Sequence, residues 1–330
     1  IRVVDDEGVS LKRISLTLKG PGPDYSLEFD YSVEGETTTF LPFGEYTLAK
    51  LVWKWKIGEK EIPVDVAPED SKFVLSPSSD LVLVEARVFH SLILGFYTLD
   101  GERASGDVLL EYAKGRTWIE VLEREVEDGR IRLEKVPYGL YRITVEWKGT
   151  EILEEVVEVD EKLREKLEEG ELRLVLPLYE RIQLKLINPL GEPLGGLEIV
   201  IRDPLGENKT LTTTRGGVVE LEEAISGNYA VYVEWAAGVL EKSLEVSPET
   251  ARAGFVLVEI ELIDLVLELS PKGSSTLPSG LRILLETERR VLLEEELKTD
   301  SERYERIVPR LYTKSPYRLV VEYLNYTLYD

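Results

Sequence analysis

Four segments of this chain alternate apolar and polar residues with period two, and they open alike. Tyr141, Ile143, Val145 and Trp147 fall on one face, with Arg142, Thr144 and Glu146 on the other. Tyr229, Val231, Val233 and Trp235 repeat the pattern, as do Tyr317, Leu319, Val321 and Tyr323. Aromatic and β-branched residues in strict alternation predict strands with one wet face. The earliest such segment begins Gly44-Glu45-Tyr46 and is longer, with both Trp53 and Trp55, which predicts a bulge or one extra residue. A glycine two residues before the tyrosine (Gly44, Gly139, Gly227; Ser315 in the last) predicts the turn feeding each strand.

The key tyrosines are 95, 88 and 88 residues apart. A fixed period means tandem copies of one unit. This period is longer than a solenoid repeat, so each copy is a small domain with its own core. Other landmarks recur with it. An early strand ends in a glycine turn at Asp5-Asp6-Glu7-Gly8, Leu99-Asp100-Gly101, Leu190-Gly191-Glu192 and Pro271-Lys272-Gly273. A second strand follows, as in Ile14 to Leu18 or Leu197 to Ile201, and a middle strand precedes the tyrosine turn, as in Ile131 to Leu133 or Val219 to Leu221. About seven short strands per copy with regular turn signals predict a β-sandwich. The expected fold is all-β: a tandem array of four Ig-like or transthyretin-like sandwiches spanning 1–78, 79–178, 179–262 and 263–330, the last incomplete.

After the tyrosine strand come an alternating strand, a helical turn and a closing strand. In copy one these are Ile62 to Val66, Pro68 to Asp70 and Phe73 to Leu75; in copy three, Leu244 to Val246, Ser247-Pro248-Glu249 and Phe255 to Leu257. Ser247 is an N-cap before a first-turn proline and an acid. Copy two enlarges the turn into a short helix near 161–169, capped by Asp160, with Leu163 above Leu167 and Gly170 ending it. Between copies three and four the apolar parity flips, from Val256, Val258, Ile260 and Leu262 to Ile263, Leu265, Leu267 and Leu269. Such a one-residue phase change moves a strand from one core to the next and predicts stiff end-to-end joints. Copy four reaches Asp330 just after its tyrosine strand, so its alternating and closing strands are expected from later sequence or from another molecule pairing beside Tyr317–Tyr323.

The order of an Asp/Pro-x-Gly turn, a strand, a Thr-rich strand, a Gly-x-Tyr strand and a closing strand resembles the carboxypeptidase regulatory-like domain. Copy three carries the likeness best, through Asn188 to Val200, Thr212 to Val219 and Ser226 to Tyr229. The resemblance implies a transthyretin-like, seven-stranded sandwich of the kind that decorates secreted proteins. It bears on architecture and leaves function open.

Composition narrows the function class. The chain has no Cys or Met, one His, and a net charge of −23. Few thermolabile residues beside many charged ones is the pattern of proteins from heat-loving organisms, so a hyperthermophilic, archaeal source is expected. The acidic balance argues against a nucleic-acid partner and against anionic lipid. No apolar run reaches 18 residues, so no membrane span is expected in this segment. A chain opening on Ile1 reads as processed or as a window of something longer.

Candidate chemistry is sparse. His90, in Val88-Phe89-His90-Ser91, reads as a structural residue on a strand or joint, without a Cys or Ser/Asp partner pattern. Asp5, Asp6 and Glu7 offer oxygens to Ca²⁺ but lack an Asp-x-Asp-x-Asp-Gly loop, so a solvated turn is the plainer reading. Glu294-Glu295-Glu296 reads as a solvated edge. Trp118 and one of Trp53 or Trp55 are the candidates for an exposed sugar-stacking platform, while Trp147 and Trp235 have inward parity. Asn208 and Asn325 are sequons. No catalytic, cofactor-binding or metal residue is predicted; the structural anchors are Tyr46, Tyr141, Trp147, Tyr229, Trp235 and Tyr317. The expectation is a non-enzymatic, extracellular or cell-surface structural protein of a filament, sheath or surface layer. It would self-associate into a polymer or lattice, with glycans as further partners. A carbohydrate- or protein-binding adhesin module and an accessory region of a large secreted enzyme are the alternatives.

Overall fold

The computed structural model describes residues 1–330 apart from 23–25, 33–39, 58–59, 69–71, 79–80, 168–169, 252–254, 274, 325 and 330, and apart from the side chains of 27–32 and 164. It divides into two compact units, Ile1–Pro177 and Leu178–Asp330, each holding two β-sandwiches.

The first copy contains β1 (Arg2–Val4), β2 (Ile14–Lys19), β3 (Ser26–Ser32), β4 (Gly44–Ile57), β5 (Lys60–Asp65), β6 (Lys72–Leu75) and β7 (Leu83–Glu85). One sheet runs β3-β2-β4-β5, and β1 pairs parallel with β7. The alternation read from the sequence is visible in β2, where Ile14, Leu16 and Leu18 are buried and the residues between them are not. The extra residue expected in β4 is a bulge at Ala49, between the pairs Thr17–Lys50 and Leu18–Leu48. One assignment changes. Phe73 to Leu75 does not close the smaller sheet. It lies in β6 beside the start of β4, where Phe73 stacks on Tyr46 at 5.7 Å. The closing strand is β7, beyond the expected boundary at 78.

The second copy is complete, with β8 (Val88–Tyr97), β9 (Gly106–Lys114), β10 (Thr117–Val126), β11 (Arg130–Pro137), β12 (Gly139–Trp147), β13 (Thr150–Val159) and β14 (Glu171–Val175). A sheet β10-β9-β12-β13 faces a sheet β11-β8-β14. The turn before β14 is a 3₁₀ helix, Glu161–Lys166, rather than an α-helix. Asp160 accepts from the Leu163 amide at 3.0 Å, and Leu163 alone plugs into the core while Leu167 is half-buried. A 3₁₀ turn aligns residues i and i+3, so it cannot stack Leu163 on Leu167.

The third copy repeats this plan with β15 (Leu178–Ile187), β16 (Glu198–Arg202), β17 (Asn208–Thr212), β18 (Val218–Ile225), β19 (Gly227–Trp235), β20 (Gly238–Val246) and β21 (Val256–Glu259). Its sheets are β17-β16-β19-β20 and β18-β15-β21. A short helix, α1 (Pro248–Ala251), precedes β21, and Ser247 caps it at the Thr250 amide. The fourth copy has β22 (Leu262–Leu269), β23 (Arg282–Glu286), β24 (Val291–Glu296), β25 (Tyr304–Tyr312), β26 (Arg318–Tyr323) and β27 (Tyr326–Tyr329). Its sheets are β24-β23-β26-β27 and β22-β25. The alternating strand expected to be missing is therefore present as the short β27, and β26 is already flanked on both sides. Among the described residues, the fourth copy lacks the parallel neighbour that β1, β8 and β15 each have.

The repeated tyrosine has one job in all four copies. Tyr46, Tyr141 and Tyr229 are buried, and their hydroxyls donate to the carbonyl four residues back, at Pro42, Pro137 and Ile225, over 2.7–2.9 Å. The half-buried Tyr317 donates to Tyr312 O at 2.7 Å, one residue further because its turn is longer. This tyrosine corner ties the crossover between the two sheets to the strand that follows it. Burial also pushes the Tyr229 phenol up, so it stays protonated and able to donate. The preceding glycine is needed for space and for its backbone. Gly139 has φ +153, and a Cβ there would lie 2.6 Å from the Tyr112 ring.

Tyr229→Phe leaves the Ile225 carbonyl without its donor and is expected to cost about 1–3 kcal/mol, read by denaturant unfolding of the full chain. Unchanged unfolding would remove the corner from the account of stability.

Candidate functional site: the joints between successive sandwiches

The side chains that carry the chain's organisation beyond a single sandwich meet at the joints inside each unit. In the first unit Trp55, near the end of β4, is buried and packs edge-on against Tyr112 and Tyr141 of the second copy, at 5.9 and 6.3 Å. In the second unit Trp235, at the end of β19, packs against Tyr312 of the fourth copy at 5.7 Å. In each unit a tryptophan late in the tyrosine strand thus reaches the following copy. Trp235, read by parity as an inward anchor, is half-buried at this joint. Trp147 is buried, with the Lys148 ammonium 4.0 Å from its ring centre. Trp53 is buried too, and Trp118 is half-buried under the Arg142 guanidinium, so the two expected exposed rings do not form an open stacking platform.

A polar clamp lies beside each aromatic contact. The strands β11, β18 and β25 each hold one non-glycine residue at positive φ: Lys135 (52°), Glu223 (49°) and Arg310 (59°). That conformation costs on the order of 1–3 kcal/mol per residue, so its repetition asks for a cause. A break in the ladder re-aims a side chain. Lys135 Nζ donates to Ser10 O of the first copy at 3.2 Å. Arg310 donates to Gly195 O and Gly196 O of the third copy at 3.2 and 3.0 Å. In both joints a cation from one copy caps loop carbonyls of the copy before it. At Glu223 the same strand position holds an acceptor. Ion pairs add to each joint: Lys60–Glu120 at 3.0 Å in the first unit and Lys314–Glu261 at 2.8 Å in the second. The ammonium of Lys314 holds the Glu261 carboxyl below its usual range, against a smaller opposing effect of burial.

His90 faces Lys135 across β8 and β11 and gathers the first turn of copy one. Its Nδ1 lies 2.9 Å from Asp5 Oδ2, its Nε2 3.9 Å from Glu7, and its amide donates to Asp6 Oδ1 at 2.7 Å. Asp5 is not a solvated turn acid. It is 1% exposed, and its Oδ1 accepts from the amides of Glu7 and Val9. Thr98 and Asn188 build the matching turns in copies two and three, accepting from Glu102 N and Glu192 N. The hydrogen bond to Asp5 raises the imidazole above its usual 6.5, helped by the charges of Asp5 and Glu7 and opposed by burial and Lys135.

A second polar cluster was invisible in the strand pattern. The Glu171 carboxylate is buried and accepts from Tyr97 Oη, from Arg103 at 2.8 Å and from Arg130 at 3.1 and 3.0 Å. Burial alone would raise its pKa, but these donors outweigh it and hold it low. The guanidiniums of Arg103 and Arg173 both lie over the Tyr97 ring, at 4.3 and 4.2 Å. Gly95 is the signal that could have found it. A Cβ there would sit 2.9 Å from Glu171 and Arg103, and a glycine inside a strand marks such an approach.

Asn208 is exposed at the first position of β17, and Asn325 lies outside the described residues. Glu294 and Glu295 pair with Arg282 and Arg306, so the acidic run is a cross-strand ion-pair edge. Among the described residues no group of three or more metal-ligating side chains converges, and no helix is long and apolar enough to cross a membrane.

No protein-family model matches the chain, and no curated relative does. Solved structures similar to it include a streptococcal ancillary pilin (11% identical, covering 78% of this chain and 96% of that one, TM-score 0.24). The GBS52 minor pilin of Streptococcus agalactiae is 14% identical over 52% of this chain and 94% of its own, with a TM-score of 0.30. BcpA, the major pilin subunit of Bacillus cereus, is 12% identical over 78% and 97%, with a TM-score of 0.24. Likeness this distant decides nothing about function. The class rests on the chain's own strands and sheets, which define a tandem β-sandwich protein.

Two outcomes are expected. Trp55→Ala opens a hole shared by two copies and should destabilise them by about 3–5 kcal/mol, splitting a joint calorimetric transition into separate ones. A His90 pKa raised by folding contributes stability that is fully present below 6.5 and is lost as pH rises through the folded value. The melting temperature of the full chain should therefore fall across that window, and His90→Asn should flatten the fall. An identical pH profile in the variant would exclude His90.

Proposed function

We propose that this chain is a non-enzymatic structural protein of an extracellular filament, sheath or surface layer, in which sandwiches set end to end form a stiff spacer. The observation that carries this reading is the joint. The same device, a tryptophan late in the tyrosine strand on the next copy's aromatic ring and a cation at positive φ on the previous copy's carbonyls, occurs in both units. Repeated fastening of neighbours suits a protein whose role is to hold distance and transmit force.

In this reading the first copy extends past residue 78 to include β7, and the other copies keep boundaries near 178 and 262. Self-association is by contact between sandwich ends and by strand complementation at an open sheet edge. Glycans are placed at Asn208, whose side chain is exposed, and at the sequon of Asn325. The proposed source is a heat-loving archaeon. Branched surface ion pairs fit that setting: Arg282 joins Glu294 and Glu322, and Arg303 joins Glu268 and Glu305.

Immunogold labelling of whole cells, with proteomics of sheared surface material, tests the role; label is expected on a surface polymer, and label confined to the cytosol overturns it. Calorimetry tests the setting, where melting above about 90 °C is expected for a hyperstable array.

A further inference from the structure

The smaller sheet of the second sandwich has a basic outer face. On β11-β8-β14, Arg130 and Arg173 flank Gly95, and Arg132 lies beside Ile93. Arg103 joins them from the loop after β8, with its guanidinium over the Tyr97 ring. All four arginines are exposed. Arg103 and Arg130 grip the buried Glu171, which fixes them in place without covering them. Arg132 makes no ion pair among the described residues. Glu134 is the other acid in these rows, and Asp100, Glu102 and Asp128 lie in the turns at one end. Four arginines against Glu134 and Glu171 make the strands of this face basic, in a chain whose net charge is −23.

The larger sheet of the same sandwich has the reverse charge and a conflict. Glu125, Asp107, Glu146 and Glu151 stand in one cross-strand row over β10, β9, β12 and β13. Glu123 and Glu154 close the two ends of the next row, across Leu109 and Thr144. All six carboxylates are exposed, and none meets a cation among the described residues. Arg142, on the same face, is taken by Glu111. Like charges directly opposite one another destabilise a sheet, so nothing within the sandwich accounts for this row.

The spacings of the two faces agree. Strands in a sheet lie about 4.8 Å apart, which puts Arg130 about 10 Å from Arg173 and Asp107 about 10 Å from Glu151. The outer faces of one sandwich point away from each other. We propose that the outer face of β11-β8-β14 docks the acidic outer face of β10-β9-β12-β13 in a second copy of this chain. Each copy offers both faces on opposite sides, so the contact is heterologous and repeats without closing, which sets chains side by side in an open row. Elsewhere two such acidic chains repel, and that repulsion selects this register. The inference rests on the surface-polymer reading and gives it a lateral contact.

The test is sedimentation velocity of the full 330-residue chain and its charge-reversed variants. The wild-type chain should associate progressively with concentration at about 50 mM salt and dissociate at about 500 mM, since screening weakens charge pairing. Arg132→Glu alone, or Asp107→Lys with Glu146→Lys, should weaken association by about fivefold or more. An equimolar mixture of the two variants should restore it, because each then meets a complementary face on the other. Misfolding cannot produce such a rescue, and melting of each variant near the wild-type temperature shows that the sandwiches are intact. Association that strengthens with salt, survives both reversals or is not rescued by mixing overturns the contact. So does a wild-type chain that stays monomeric while heparin binds it through Arg132, since the arginine face then serves an anionic glycan. None of these outcomes touches the cell-surface labelling test, so the two readings fail separately.

Discussion

Each sandwich depends on one hydrogen bond from a tyrosine hydroxyl to a carbonyl at the crossover between its sheets. The chain must leave one sheet, cross the end of the core and start the central strand of the other. Such a crossover exposes backbone carbonyls to an apolar interior, where an unpaired acceptor is costly. Tyr46, Tyr141, Tyr229 and Tyr317 meet that need from within the strand that follows, so the crossing and the strand form together. The rings are also core volume; Tyr141 and Tyr112 lie 5.2 Å apart, and Trp55 closes over both. The corner of one copy is therefore part of its joint with the copy before it.

That overlap fastens successive sandwiches within each unit without disulfides, which a chain lacking cysteine cannot form. Aromatic contact supplies area, while Lys135 and Arg310 supply direction. Each of these cations sits in a conformation that an ordinary residue avoids, and each reaches a carbonyl that would otherwise face the joint. His90 adds a proton-dependent contact to one joint. The acidic balance then falls on wet faces, where cross-strand arginines such as Arg282 partly offset it.

The copies differ where pairing is most remote in sequence. The closing strand must return beside the first strand after the whole domain has been traversed, so it is decided by non-local contact and not by the residues near it. In copy one that role passes to Leu83–Glu85, although Phe73–Leu75 has the better strand pattern. In copy four no such strand pairs with β22 among the described residues.

By itself the sequence determined the period, the strand faces and the tyrosine positions, because alternation and turn glycines are local properties of the chain. It also placed the phase change after Leu262, since parity counts residues and needs no partner. Tertiary structure decided what those residues meet. Parity could say that Trp235 points inward but not that the inside there belongs partly to the next copy. Acidity could suggest solvent for Asp5, whereas the turn amides and His90 bury it. Nothing in the letters marks Lys135 or Arg310 as left-handed, because that conformation is imposed by the ladder on either side and repaid by a carbonyl on another domain. Local periodicity is written in one strand at a time; joints, closing strands and buried charges arise when distant strands compete for the same neighbours.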